Sequence, residues 1–173
     1  IYLKNEYLSV AIDNLGEGMT QSENDRQVGG FTQSQKQPYL EKNELYEALN
    51  ELLEAERAGA RSTLETLQDI NEDALNQLVF AIQQDEVRWC RMLIQAIHSL
   101  DMEPSRKTGD FYQKVMAISD IKERILFVNR GQAWVVRRLE VLIPKVIQSE
   151  IKKSLQEMLE AHQTNIQKVQ MTL

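Results

Sequence analysis

From Pro38 to the C-terminal end, apolar side chains recur at intervals of three and four residues, the spacing of an amphipathic helix. This periodicity constrains the fold more than any other feature. A first helix is predicted over 41–69, with Leu45, Leu49, Leu52, Leu53, Ala60, Leu64 and Leu67 on its inner face. A second starts at Asn71 or Glu72 and runs to about Leu100, with Leu75, Leu78, Val79, Ile82, Trp89, Leu93 and Ile97 inward. A third starts at Asp120, where Glu123 three residues on suggests a capping box. It turns Ile121, Ile125, Val128, Val135, Leu139 and Leu142 inward, and Pro144 ends or kinks it. Ser149 is the expected cap of a fourth, with Ile151, Leu155, Met158, Ile166 and Val169 inward. The first and second helices, and likewise the third and fourth, are separated by only a few residues, which predicts two antiparallel hairpins. The segment 101–119 is longer than a hairpin needs. It carries a short amphipathic stretch around Phe111, Tyr112, Val115 and Met116, and can run the length of a bundle so that the second and third helices lie parallel; a plain up-down bundle with a decorated loop is the alternative.

At about 100° per residue, one polar residue falls on the core stripe of each helix: Glu56, Glu86, Gln132 and His162. Each lies near mid-helix, so in an antiparallel bundle the four converge on one layer. Burying a carboxylate without compensation costs several kcal/mol. Two in one layer repel unless one takes a proton or a cation lies between them. Glu56, Glu86 and His162 are therefore candidate ligands for one iron, manganese or zinc ion, with Gln132, Trp89 and Cys90 in the surrounding shell. The alternative is a metal-free layer closed by hydrogen bonds, in a helical module that serves interaction or accessory roles.

The chain has 173 residues, 42% of them hydrophobic, and a net charge of −6. That acidity argues against a nucleic-acid partner. No apolar run approaches the ~20 residues that span a bilayer, so no membrane role is expected. The single Cys excludes an intrachain disulfide and fits a cytoplasmic location. Residues 1–37 read as an N-terminal arm and flexible linker, with a short strand at Tyr7–Ile12 that would suit the tail of an upstream domain; 38–173 form the helical domain. Beginning at Ile1 rather than Met, the chain is expected to be a fragment or a processed product. Cys90 reads mainly as a small core residue, and His98 as a surface residue at a helix C-terminus. The arginines Arg57, Arg61, Arg88, Arg91, Arg130, Arg137 and Arg138 are expected on flanks and outer faces. Phe127, Trp134 and Val141 form a second stripe every seven residues on the third helix. The crossover segment is the expected cover for it, and a partner helix of a homodimer is the alternative. No nucleotide loop, Ser-His-Asp set or zinc motif is present.

Several strings are distinctive: Leu52-Leu53-Glu54-Ala55-Glu56-Arg57-Ala58-Gly59-Ala60-Arg61, Asp85-Glu86-Val87-Arg88-Trp89-Cys90, Asn129-Arg130-Gly131-Gln132-Ala133-Trp134-Val135-Val136-Arg137, and Glu157-Met158-Leu159 with His162 and Asn165-Ile166. With Pro104-Ser105, Thr108-Gly109 and Phe111-Tyr112, they resemble an uncharacterised bacterial family of ferritin-like helical domains, sometimes fused to a DJ-1/PfpI-like domain. The resemblance implies an all-α, ferritin-like four-helix bundle with its long crossover between the second and third helices. It also implies a partner or upstream domain of DJ-1/PfpI type. The wider ferritin-like superfamily implies metal binding with redox, peroxide or iron-handling chemistry. Di-metal members place a Glu on each of two helices and a Glu-x-x-His pair on each of the other two. This sequence departs from that pattern. Trp89 stands where the first His belongs, Gln132 where a carboxylate belongs, and Leu159 precedes His162 by three residues. At most three good ligands remain, which implies one ion rather than two.

Overall fold

Four long helices and one short one account for the regular structure of residues 39–173, the part of the chain described by the computed structural model. The arm and linker expected over 1–37 lie outside the described residues. The helices are α1 (Lys42–Asp69), α2 (Asp73–His98), α3 (Phe111–Met116), α4 (Ile121–Leu142) and α5 (Ser149–Thr172), and no strand occurs among the described residues. No helix among them is long and apolar enough to cross a membrane.

Local chemistry sets most helix ends. At the start of α1 the Glu44 carboxylate accepts a hydrogen bond from the Glu41 backbone N–H at 3.0 Å, satisfying a donor the helix cannot. Asp120 Oδ1 accepts from the Glu123 N–H at 2.9 Å to open α4, as its position three residues earlier predicts. α2 stops at His98, two residues short of expectation, and Asp101 follows in a left-handed conformation (φ 54°) that Asp tolerates better than most residues. Pro144 ends α4 in a single 3₁₀ turn, Ile143–Lys145. Ser149 is the first residue of α5 and not its cap; Gln148 holds that place, and its side chain makes no capping bond.

The order of the helices in space follows from contacts between them. α1 and α2 form an antiparallel hairpin across the short Ile70–Glu72 link. The crossover then travels back along α1. The Tyr46 hydroxyl donates to the Glu103 carbonyl (3.0 Å), the Asn50 side chain accepts from Ser105 N–H (2.7 Å), the Glu54 carbonyl accepts from Gly109 N–H (3.2 Å), and the Tyr112 hydroxyl donates to Glu65 (2.6 Å). Arg57 adds hydrogen bonds to the Ser105 and Lys107 carbonyls. At the end of this path Arg124 on α4 pairs with Asp69 (2.7 Å), while Arg138, near the other end of α4, pairs with Glu51. α4 therefore runs antiparallel to α1 and parallel to α2. Arg88–Glu157 and Asp85–Asn165 contacts set α5 antiparallel to α2. The crossover thus does what its length allows.

Two apolar clusters fill the interior. One gathers Leu45, Leu49, Leu52 and Leu53 with Trp89, Leu93, Val135, Leu139, Leu155 and Met158; the other gathers Ile70, Leu75, Leu78, Val79, Ile82, Ile125 and Val169. Between them lie Glu56, Glu86, Gln132 and His162. One inward assignment is corrected: Leu64 is 51% exposed. The second half of α1 instead buries Ser62, Thr63 and Thr66, whose hydroxyls bond to the carbonyls of Ala58, Gly59 and Ser62 at 2.6–2.8 Å. Small hydroxylated side chains can line a close helix contact once the helix's own carbonyls satisfy them. The second stripe on α4 divides. Phe127 stacks on Phe111 of the crossover (centroids 5.3 Å apart), Trp134 is half-buried against the first cluster, and Val141 is 60% exposed.

Candidate metal centre

The four polar residues read from the helical stripes come together in one buried layer, each from a different long helix. Glu56 (α1), Glu86 (α2), Gln132 (α4) and His162 (α5) are all at most 4% exposed. One carboxylate oxygen of Glu56, one of Glu86 and a ring nitrogen of His162 lie within 4.8 Å of one another. Ligand bonds of about 2.0–2.2 Å place two ligand atoms at most about 4.4 Å apart, so a single cation would draw these groups slightly inward.

Each side chain is held by its own helix or a neighbour. The His162 ring nitrogen Nδ1 lies 3.0 Å from the Met158 carbonyl, one turn back on α5. A carbonyl oxygen only accepts, so Nδ1 carries the proton and donates. Nε2 is then the nitrogen left free, the one that could ligate a metal ion. It lies 3.3 Å from Glu56 Oε1. Gln132 Nε2 donates to Glu86 Oε1 at 3.2 Å, which orients both side chains. On its other side the Glu86 carboxylate rests against the backbone of Gly59.

The electrostatics follow from burial. Loss of water pushes the Glu56 carboxyl up to about 8; a hydrogen bond with Glu86 opposes this and the Asp85 charge adds to it. Burial also raises the Glu86 carboxyl well above its ordinary value, reinforced by the Glu56 charge and opposed by His162 and Gln132. Apart from that carboxyl–carboxyl contact, which needs a shared proton, several polar atoms of the layer have no hydrogen-bond partner among the described residues: both Glu56 oxygens, Gln132 Oε1, His162 Nε2 and, one turn from Glu86, Trp89 Nε1. Buried polar atoms without partners are uncommon in folded proteins. Here five of the seven among the described residues belong to the layer or to its next turn, the others being Asn129 Oδ1 and Gln148 Oε1.

Cys90 is half-buried beside the layer. Burial, then the charges of Glu56 and Glu86, push its thiol up to about 12 against the pull of Arg57. It is thus a protonated thiol near neutral pH, not a ready ligand or nucleophile. His98 is exposed at the end of α2, as expected. Sequence reasoning missed three residues around the centre: Gly59, and the pair of buried Asn165 with Asp85 (2.9 Å) at the α2–α5 seam. A glycine in mid-helix is a visible signal, since it lowers helix stability by about 1 kcal/mol relative to Ala. Asn165 lies next to Ile166, which the apolar pattern selected instead.

Fold and site define an all-helical domain with a buried Glu/Glu/His group able to hold a metal ion. The chain belongs to the family described as a domain of unknown function, DUF6306, whose family model matches residues 43–171 and so spans all four residues of the layer. No curated protein and no solved structure matches the chain.

Proposed function

We propose that this domain binds one divalent first-row metal ion, of the class of iron, manganese or zinc, through Glu56, Glu86 and His162. One observation carries the reading. His162 Nε2 and Glu56 Oε1 face each other at 3.3 Å, neither makes a hydrogen bond, and Nδ1 already spends its proton on Met158. Two facing acceptors need a proton or a cation between them. A divalent ion suits the charge as well, because two carboxylates and one dication sum to zero in a layer sealed by apolar clusters. Gln132 holds Glu86 with its amide N–H and keeps Oε1 free, as a further oxygen ligand or an acceptor for a bound water. The imidazole and carboxylate donor set fits borderline first-row ions better than calcium or magnesium, which favour oxygen alone.

The paired hairpins and the parallel course of α2 and α4 support a ferritin-like four-helix reading. Within it, Trp89 and Gln132 occupy places that a second ion would need for ligands, so the site is mononuclear. The test is elemental analysis of protein purified without chelator or metal-affinity resin, repeated on Glu56→Gln, Glu86→Gln and His162→Ala. Stoichiometric iron, manganese or zinc in the parent that falls in all three variants supports the reading. A parent that is empty, and takes up none of these ions on titration, refutes it and leaves the layer a structural one.

A further inference from the structure

Gly59 lies in the middle of α1, one turn beyond Glu56, and its backbone is ordinary helix. Nothing about its conformation calls for glycine. Its environment does. A β-carbon built there would overlap the Glu86 carboxylate, with the carboxyl carbon only 2.8 Å away and one oxygen nearer still. Real β-carbons do not approach other atoms so closely, and Glu86 cannot simply swing aside. It is buried, and Gln132 holds its other oxygen. The Glu86 carboxylate therefore occupies the volume that any other residue at position 59 would fill.

From this we infer that Gly59 is a positioning residue for the centre: its missing side chain is the seat that brings the Glu86 carboxylate across to Glu56 and His162. This rests on the metal-binding reading above and adds to it a requirement at a residue with no ligand atom of its own. It also accounts for a mid-helix glycine that helix propensity disfavours. The contact is one-sided. The three atoms nearest to an added methyl group at 59 all belong to the Glu86 carboxyl, so that head group is what the substitution meets first.

The test is a double-mutant cycle of Gly59→Ala and Glu86→Asp, read by zinc or manganese titration and by thermal melting in chelator. Gly59→Ala is expected to weaken metal binding about tenfold or more, the range seen when groups that orient ligands are altered. Glu86→Asp withdraws the carboxylate by one methylene and weakens binding by itself. The double variant is expected to bind no more weakly than Glu86→Asp alone, because the overlap is already relieved. Wild-type affinity in Gly59→Ala, or losses that simply multiply in the double variant, overturns the inference while leaving the metal reading intact. A parent that takes no metal refutes the metal reading, and the melting arm then decides the seat: if Gly59→Ala lowers the melting temperature equally in the parent and in the Glu86→Asp background, the seat is overturned. Should Gly59→Ala fail to fold, restoration of folding by Glu86→Asp supports the seat, and failure of both variants overturns it.

Discussion

In the metal-free protein, Glu56 should make stability fall as pH rises, and Glu56→Gln should remove that dependence. The unfolded chain releases this proton near 4.5, whereas burial holds it in the folded state up to about 8. Below 4.5 both states are protonated and the group contributes no difference. Between 4.5 and 8 the folded state keeps a proton that the unfolded chain has lost, so raising the pH favours unfolding; above 8 the loss is complete. One pKa unit corresponds to about 1.4 kcal/mol. Over pH 5 to 8, Glu56 alone is therefore expected to remove about 3 kcal/mol. For a domain of this size that lowers the melting temperature by roughly 6–12 °C. Glu86 is shifted in the same direction and steepens the decline. The assay is urea denaturation in chelator at half-unit steps across that range. Glu56→Gln keeps the shape and removes the ionisation, so its curve should be flatter by the Glu56 share. Parallel curves for parent and variant would refute the claim that Glu56 carries the raised carboxyl.

The remaining predictions test other links in the same chain of reasoning. Adding zinc or manganese to metal-free protein near pH 7 should release protons, because the ligand carboxyls must ionise to bind, and a pH-stat measures the yield; saturable binding at this centre with no release would refute the ligand assignment. Arg124→Ala should cost about 2 kcal/mol, since the guanidinium is buried and donates to the Ile118 carbonyl at 2.8 Å and to Asp69 at 2.7 Å; a chemical melt within experimental scatter of the parent would show that this tether contributes nothing. Gly131→Ala should cost about 1–3 kcal/mol by driving a β-carbon into the Phe111 ring, 2.6 Å away, and Phe111→Leu should suppress much of that loss in the same melt.

How much was legible in the sequence depended on what each residue does to a periodic pattern. Glu56, Glu86, Gln132 and His162 were found because each interrupts an apolar stripe at its centre. An interruption of that kind is conspicuous in a long helix. The crossover was found from its length, and its course along α1 from Tyr46 to Asp69 follows from the need to return the chain to the other end of the hairpin. Polar residues buried away from the centre of an apolar stripe leave no such mark. Arg124 is buried because two oxygens meet its guanidinium, and Thr63 and Thr66 because their hydroxyls turn back on α1. Leu64 was placed inward only because it is leucine. Gly59 has no side chain for a pattern to count, and what sets it apart is the Glu86 head group against its backbone, a contact between two helices.

The layer is set apart from an ordinary buried network by a shortage of donors. Counting protons around it, the His162 Nδ1 proton is committed to Met158 and a Gln132 amide proton to Glu86. That leaves both Glu56 oxygens, His162 Nε2 and Gln132 Oε1, all of them acceptors, with nothing to accept. The free donors are the second Gln132 amide proton and, one turn away, the indole N–H of Trp89, and two donors cannot satisfy four acceptors. Protonating Glu56 and Glu86, which burial favours in the metal-free layer, supplies two more, so a closed network needs both carboxyls neutral. A cation satisfies several acceptors at once, needs no proton of its own, and cancels the carboxylate charges that burial otherwise disfavours. A bound metal ion and a network with both carboxyls protonated are thus the two ways to satisfy the same four residues, and proton release on adding metal distinguishes them.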